Sequence, residues 1–308
     1  MNYAVIDLGS NTIRLSVFRY EDSKIITVIR QKEVAGLAGY VKEKHLEAEG
    51  ITKACEVINE FKKTAVCFVP ENEISVFAAA SLRGILNQEQ ALETIQQATG
   101  LLPVVLSGEE EARLDFVGAS HFTGCKDGIM IDIGGASTEL VRFENAQPSR
   151  LVSMPVGCLN LYTKYVGKVI PKKKEYKKIR KEICKQIDAL GWDADENYPL
   201  LIGIGGTVRA AYKLSRGLFE VPEGQNEIKA RFVKEILRKI RDNEAGIFHT
   251  IYKSIPERTL TIFTGLMILD EALKRFGCKK IIVSDYGVRE GYLIDRLLGD
   301  SADGDGRC

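Results

Sequence analysis

Short apolar runs alternate with amphipathic stretches along most of the chain. The runs IITVIRQ, EISVFAAAS, PVVLS, PLLIGIGG and KKIIVS predict strands. Helices are predicted over residues 47–63, NQEQALETIQQATG, EEARLDFVGA, ARFVKEILRKIR and residues 259–275. The first of these helices places Ala54, Val57, Ile58 and Phe61 on one face. Strands that alternate with helices in this way are typical of the α/β class.

One hairpin pattern occurs twice. AVIDLGSNTIRLSVF (4–18) aligns without gaps to IMIDIGGASTELVRF (129–143), so the two copies are offset by 125 residues. Both read as strand, aspartate, small-residue turn and strand. Two unrelated hairpins would also fit, because Asp and Gly favour turns for conformational reasons alone. The alignment favours a duplicated domain, with the two turns facing each other across a cleft that would be the active site. We therefore expect domains at 1–122 and 123–300, followed by a disordered tail at 301–308.

Composition excludes several functional classes. The chain has 308 residues and 43 basic against 42 acidic side chains, so no overall charge favours nucleic acid or a membrane surface. Seven scattered cysteines without a C-x-x-C pair fit reduced thiols in a cytoplasmic protein. We find no secretion signal and no apolar run long enough to span a membrane. The three histidines lack metal-ligand spacing, which disfavours histidine-bound zinc.

The two turns have the composition of phosphate-binding loops. The first loop is Gly9, Ser10, Asn11 and Thr12, and the second is Gly134, Gly135, Ala136, Ser137 and Thr138. Glycine permits close approach of the backbone, and successive N–H groups with neighbouring hydroxyls can surround phosphate oxygens. Neither loop matches the P-loop or the dinucleotide fingerprint. Two such loops in register predict a ligand with several phosphates.

Three carboxylates follow the same strands: Asp7, Asp132 and Glu139. Carboxylates close to phosphate repel it unless a cation intervenes, and oxygen ligands suit a hard ion. We therefore predict magnesium, or manganese in its place, bound by Asp132, Glu139 and Asp7. The alternative is that both aspartates only cap their turns.

The segment SGEEEAR (107–113) has a structural and a catalytic interpretation. Ser107 and Glu110 have the spacing of a capping box at a helix N-terminus. Glu111 lies one position beyond that box, where its carboxylate could activate a water for in-line attack on phosphorus.

Weaker candidates complete the site. Ser81 and Arg83 follow a predicted strand and offer a hydroxyl and a guanidinium to phosphate, although they also fit a helix cap with a surface arginine. Gly205 and Gly206 form a third glycine turn after a strand. The segment SDYGVREG (284–291) precedes the last helix. The basic stretch 164–185 fits a solvated helix face or a surface that guides a polyanion.

In combination, IDLGSNTIRL, AASLRG, VVLSGEEEARLDFVGA, IDIGGASTEL, GIGGTVRA and SDYGVREGYL resemble the ordered motifs of the exopolyphosphatase/guanosine pentaphosphate phosphohydrolase (Ppx/GppA) family, from about residue 3 to residue 299. The resemblance implies two actin-like, ribonuclease H-type domains and magnesium dependence. The implied reaction is release of orthophosphate from inorganic polyphosphate or guanosine pentaphosphate. It places the catalytic glutamate on Glu111, the metal-binding or water-positioning acids on Asp132 and Glu139, and the phosphate-contacting arginine on Arg83. Family members commonly dimerise, so a homodimer is a further expectation.

The chain departs from the family pattern in two respects. Ala136 replaces the usual third glycine of the second loop, which would cost about 1 kcal/mol if that position needs a positive φ. Basic residues usual near VAGLAGYV and MPVGCLNL are missing. These departures keep one alternative open, a regulator that binds polyphosphate or nucleotide with little turnover. A second alternative is an ATP-dependent phosphotransferase of the same fold, which would need an acceptor pocket and against which the Glu111 motif argues. The sequence does not decide between polyphosphate and guanosine pentaphosphate.

Overall fold

The computed structural model describes residues 1–22, 24–192, 198, 200–219, 221–222 and 224–303, with backbone only for 121–122 and 297–303. The chain divides into two compact units. The first unit is Met1–Glu111 together with the chain from Arg289 onward, and the second unit is Ala112–Val288. The division at residue 122 that the repeat suggested stays a prediction.

The first unit is built on a five-stranded sheet of order β3-β2-β1-β6-β7. The strands of this unit are β1 (Asn2–Leu8), β2 (Ile13–Glu21), β3 (Lys24–Glu33), β4 (Val41–Lys42), β5 (His45–Leu46), β6 (Ile74–Ala78) and β7 (Val104–Val105). Its helices are α1 (Ala48–Ala65) and α2 (Gln88–Thr99), with the start of α3 (Gly108–Thr123) and the last helix, α10 (Val288–Asp303). Central strand β1 is antiparallel to β2 and parallel to β6. Its residues from Ala4 to Leu8 are buried, as expected for a strand covered on both faces.

The predicted helices of this unit are confirmed. Helix α1 buries Ala54, Val57, Ile58 and Phe61 against the sheet. Helix α2 ends at Gly100, whose φ of 73° lies in the left-handed region that glycine adopts without strain. Helix α10 reaches Asp303, and the rest of the predicted tail, residues 304–308, lies outside the described residues.

The second unit repeats the same sheet order and adds one strand. Its strands are β8 (Gly128–Ile133), β9 (Thr138–Glu144), β10 (Gln147–Met154), β11 (Leu200–Ile204), β12 (Glu227–Lys229) and β13 (Lys280–Val283). Its helices are α4 (Cys158–Tyr165), α5 (Lys173–Asp188), α6 (Gly205–Leu218), α7 (Ala230–Arg241), α8 (Ile247–Ser254) and α9 (Ile262–Arg275). The order is β10-β9-β8-β11-β13-β12, with β8 antiparallel to β9 and parallel to β11.

The duplication extends to the strand register. Leu8 pairs with Ile13 in the first hairpin, and Ile133 pairs with Thr138 in the second, which are equivalent positions of the aligned segments. The α/β class and the repeat predicted from the sequence are thereby confirmed.

Helix α9 forms the centre of the second core. Each residue from Ile262 to Leu273 is buried, which is typical of a helix surrounded by other elements. It begins after a short 3₁₀ helix at Pro256–Arg258, so the predicted helix 259–275 starts three residues late. In the described residues, no helix combines the length and the apolar character that a membrane span requires.

Candidate functional site

The two predicted phosphate loops have the same backbone conformation at their bases. The N–H of Gly9 donates to the carbonyl of Thr12 at 3.1 Å, and the N–H of Gly134 donates to the carbonyl of Ser137 at 3.0 Å. A methyl group added to Gly9 would lie 2.7 Å from the Thr12 oxygen. A side chain at this position would therefore open the turn.

In both loops, two successive carbonyl groups accept hydrogen bonds from residues outside the loop. In the first loop, the N–H groups of Ala38 and Gly36 donate to the carbonyls of Ser10 and Asn11, at 2.8 and 2.9 Å. At the equivalent positions of the second loop, the N–H of Leu159 donates to the carbonyl of Gly135 at 2.8 Å, and the Asn160 amide donates to the carbonyl of Ala136 at 2.7 Å.

The amides of the same residues are left for a ligand. Within the described chain, the N–H groups of residues 10–12 and 135–137 donate to no other protein atom. Each loop thus presents three successive donors, the arrangement that binds phosphate oxygens.

Ala136 does not introduce the strain considered from the sequence. Residues with φ in the left-handed region include neither Ala136 nor Gly135. The cost of about 1 kcal/mol applied only if residue 136 needed a positive φ. Its φ is not positive, so an alanine adopts this backbone without penalty. The backbone of the loop therefore tolerates Ala136 without strain.

Three hydroxyl groups donate to backbone carbonyls next to the loops, those of the predicted residues Ser81 and Thr138 and that of Thr207, which was not predicted. Ser81 donates to the carbonyl of Leu8, the last residue of β1. Thr207, on α6, donates at 3.1 Å to Ile133, which is the equivalent position at the end of β8. Thr138 is fully buried, and its hydroxyl donates to the carbonyl of Val156 at 2.5 Å. The Ser81 and Thr207 hydroxyls fix the strand ends from which the loops begin, and the Thr138 hydroxyl fixes the start of β9.

Asp7 lies in a buried cluster of mixed charge. It is 7% exposed, and Arg14, its cross-strand partner, places Nη1 3.9 Å from Oδ2. Burial raises the pKa of Asp7, while the charges of Arg14 and Arg289 lower it. Arg289 is itself buried and donates to the Ser16 hydroxyl at 2.7 Å, so this residue of the predicted 284–291 motif belongs to the cluster.

The equivalent pair in the second hairpin consists of two acids. Asp132 lies opposite Glu139 in the register, whereas Asp7 lies opposite Arg14. Directly opposite residues share a face of the sheet, with Cβ atoms about 4.5–5.5 Å apart. Glu139 is 1% exposed and accepts a 2.7 Å hydrogen bond from Ser153. Two adjacent carboxylates repel each other unless a cation lies between them or near them.

The glycine turn at the start of α6 approaches this pair closely. Gly205 has a φ of +76°, and a methyl group added to it would lie 1.9 Å from Oδ1 of Asp132. The Asp132 carboxylate therefore lies against the N-terminus of α6, where the helix dipole stabilises negative charge. Only glycine fits at position 205 without moving that carboxylate.

Glu111 and Arg83 are brought together in the first unit. Arg83 Nη1 lies 2.9 Å from Glu111 Oε2 and also donates to the carbonyl of Leu106 at 3.2 Å. Both side chains are partly exposed, at 25% and 15%. The predicted capping box is confirmed, since Ser107 N donates to Glu110 Oε2 at 2.8 Å and Glu110 N donates to Ser107 Oγ at 3.1 Å. Glu111 thus projects from the first turns of a well-capped helix.

The donor set of the second hairpin fits magnesium. This ion is commonly bound through one or two carboxylates and completes its shell with water and phosphate oxygens. Asp132 and Glu139 can supply the two carboxylates. Within the described residues, no group of three or more His, Cys, Asp or Glu side chains is placed to hold a metal ion. The predicted role of Asp7 as a ligand stays a prediction.

Sequence reasoning missed several residues that shape the second loop. A methyl group on Gly157 would lie 2.4 Å from the backbone of Gly135, so this glycine lets α4 approach the loop. A methyl group on Gly206 would lie 1.6 Å from Nη2 of Arg258, which places a guanidinium at the N-terminus of α6. No local motif identifies Gly157 or Arg258, because both act through contacts distant in sequence.

Comparison with known proteins identifies the family of the chain and relatives that share its fold. The model of the Ppx/GppA phosphatase family matches residues 16–299. A crystal structure of the Aquifex aeolicus family member is 23% identical, covers 97% of this chain and 98% of its own, and has a TM-score of 0.81. An exopolyphosphatase from Cytophaga hutchinsonii is 19% identical over 97% of this chain and 98% of its own, with a TM-score of 0.83.

A third structure, of an exopolyphosphatase-like protein, is 23% identical over 97% of this chain and 100% of its own, with a TM-score of 0.83. At these identities the structures establish a shared fold. The family model covers most of the chain. The chain therefore belongs to the Ppx/GppA phosphatase family, which makes it a phosphohydrolase.

Proposed function

We propose that this protein is an exopolyphosphatase that releases orthophosphate from the end of inorganic polyphosphate, and that guanosine pentaphosphate is a second substrate, hydrolysed to guanosine tetraphosphate. The observation that carries the proposal is the pair of loops with three successive amide donors each. Each loop suits a phosphate group, and polyphosphate and guanosine pentaphosphate both supply several such groups.

The first unit supplies the proposed base. Glu111 accepts a proton from a water molecule as the water oxygen bonds to the terminal phosphorus. The phosphoanhydride bond breaks, orthophosphate is released, and the shortened chain keeps the bridging oxygen with its electron pair. Arg83 holds the Glu111 carboxylate through their 2.9 Å ion pair. A positioned base of this kind contributes about 10²–10⁴ in rate.

The second unit supplies the proposed metal site. Asp132 and Glu139 would hold magnesium. When bound, that ion neutralises charge on phosphate oxygens. Ser153 fixes Glu139, and Gly205 sets the position of Asp132. The amides of residues 135–137 bind phosphate oxygens directly.

The same observations weaken the regulator alternative. That alternative depended partly on Ala136, whose backbone requires no glycine. The family and the ion-paired Glu111 also favour hydrolysis over transfer to a second acceptor. A cytoplasmic location is part of this proposal, and it fits the free cysteines of the described chain: Cys55, Cys67, Cys125, Cys158, Cys184 and Cys278.

The test is orthophosphate release in the presence of magnesium from long polyphosphate, tripolyphosphate, guanosine pentaphosphate and ATP in parallel. We expect release from the first and third, and a loss of about 10²–10⁴-fold in kcat for Glu111→Gln. The matched control is Glu110→Gln, which makes the same change one residue earlier, within the capping box. Binding of polyphosphate without release from any substrate would reject the hydrolase in favour of the regulator. Equal activity of the two variants would reject Glu111 as the base.

A further inference from the structure

A large cavity lies in the second unit, apart from both phosphate loops. It has a volume of about 640 Å³ and is lined by residues of α5, α7 and α9 and by Phe219, just after α6. Tyr176, Phe219 and Phe232 supply aromatic surface, and Arg231, Lys234 and Arg238 supply cations. We refer to this cavity as the α7 groove. None of its lining residues belongs to the loops at 9–12 and 134–138.

One wall of the α7 groove is a stacked aromatic pair. The rings of Phe219 and Phe232 are nearly parallel, with centroids 4.3 Å apart and 12° between their planes. Both side chains are half-buried, so part of the pair remains accessible. The guanidinium of Arg231 lies 5.5 Å from the Phe232 centroid. This combination of ring faces and an adjacent cation is suited to a flat aromatic group that carries negative charge.

The cations of the α7 groove follow one face of α7. Arg231, Lys234, Arg238 and Arg241 are spaced at i, i+3, i+7 and i+10, so they form one stripe on the helix. The opposite face of α7 buries Val233, Ile236, Leu237 and Ile240. The helix is therefore fixed to the core by one side and presents a row of positive charge on the other.

Positive charge exceeds negative charge in the α7 groove. Lys274 adds a fifth cation from α9, and Glu235 and Asp270 are the acids of the lining. Arg238 is paired with Glu235, Asp242 and Glu244. Arg241 is paired with Asp242, and Lys274 is paired with Asp270 and Glu271. Arg231 and Lys234 have no ion pair in the described part of the chain. These two cations are the first that an anionic ligand would meet without displacing an acid.

We propose that the α7 groove binds a nucleotide that carries several phosphates, with the base against Phe219 and Phe232 and the phosphates along Arg231 and Lys234. The volume lies within the roughly 300–1,000 Å³ of ordinary small-molecule sites. A bare phosphate chain would make no stacking contact with the aromatic pair, and a neutral aromatic molecule would form no ion pair with the cations. A nucleotide fits both features, because its base stacks favourably on an aromatic side chain and its phosphates pair with the cations.

The probe for this site is GTP, titrated calorimetrically into full-length Glu111→Gln protein so that turnover does not obscure binding. We expect Arg231→Glu/Lys234→Glu to weaken GTP binding about tenfold or more. Arg231→Gln/Lys234→Gln should have a smaller effect of the same sign. The control is Lys213→Glu, an exposed lysine on α6 that does not line the groove. Unfolding curves for each variant establish that the fold is retained.

A second comparison isolates the aromatic wall. Phe232→Leu keeps an apolar side chain but removes the ring, and should weaken GTP binding about tenfold while leaving tripolyphosphate binding unchanged. Absence of GTP binding, or GTP affinity that the charge reversals leave unchanged, would overturn the proposal. Equal loss of affinity for GTP and tripolyphosphate in Phe232→Leu would overturn it too. Polyphosphate hydrolysis is measured separately in a protein that keeps Glu111 and carries Arg231→Glu/Lys234→Glu. This assay tests the proposed exopolyphosphatase activity without GTP, so the two proposals can fail independently.

Discussion

Gly205→Ala tests whether the position of the Asp132 carboxylate controls activity. The added methyl group would lie 1.9 Å from Oδ1 of Asp132, and real Cβ atoms essentially never approach a neighbour closer than 3.0 Å. Asp132 or the start of α6 must therefore move by about 1 Å, a displacement that can cost about 10²-fold in rate when it affects a reacting group. The alanine is also forced to a φ of +76°, which costs about 1–2 kcal/mol of stability.

A matched glycine separates these two effects. Gly246 has a φ of +82° and nothing within 4 Å of an added methyl group, so Gly246→Ala imposes the backbone strain without the contact. We expect both variants to lose about 1–2 kcal/mol in urea unfolding. Only Gly205→Ala should lose about 10²-fold in kcat/KM for polyphosphate.

The assay is orthophosphate release over a magnesium titration. If Asp132 contributes to a magnesium site, Gly205→Ala should also need more magnesium for half-maximal activity, and Gly246→Ala should not. Equal kcat/KM and equal magnesium dependence in the two alanine variants would refute the reasoning, because the position of Asp132 would then be irrelevant to turnover.

Three further predictions follow from the loops and the core. Ala136→Gly should change kcat less than about twofold and lower the free energy of unfolding by about 0.5–1 kcal/mol through chain entropy; a large gain in rate would show that a glycine is required there after all. Thr207→Val should destabilise by about 1–3 kcal/mol, because it leaves the buried Ile133 carbonyl without its donor. Urea unfolding measures this loss, and Thr207→Ser, which keeps the hydroxyl, should recover most of it. Burial raises the pKa of the Cys278 thiol from 9.0 to about 12, so its ionisation favours the unfolded chain and stability should fall between pH 9.0 and 12. Iodoacetamide at pH 8 should modify exposed Cys67 and spare Cys278 until the protein unfolds, as peptide mapping would show.

The main strands and helices were predictable because the sequence patterns that indicate them lie within each element. The aligned segments 4–18 and 129–143 contain both strands and the turn within fifteen residues, and the structure confirms them. Helix α7 was predicted to the residue, since its apolar positions have an unbroken helical period. Gly100 marked the end of α2 through its conformational freedom alone.

The supports of the loops were not predictable from local patterns. Asn160 binds Ala136 from 24 residues away, and Thr207 binds Ile133 from 74 residues away. Edge strand β12 was missed because three residues carry too little periodicity to distinguish a strand from a loop. The different partners of the two aspartates, Arg14 and Glu139, could have been found by reading the aligned segments across the hairpin instead of along it.

The hydrogen bonds behind the phosphate loops have a thermodynamic consequence for recognition. Fixing the backbone of one residue costs about 1–2 kcal/mol in conformational entropy. Since Ala38, Gly36, Leu159 and Asn160 already hold the loop carbonyls, this ordering is completed when the chain folds and does not recur when a phosphate arrives. The affinity for each phosphate group can then remain modest without loss of geometry. The exopolyphosphatase proposed above has to advance the shortened chain by one phosphate group after each cleavage, and modest affinity for each phosphate group permits that movement.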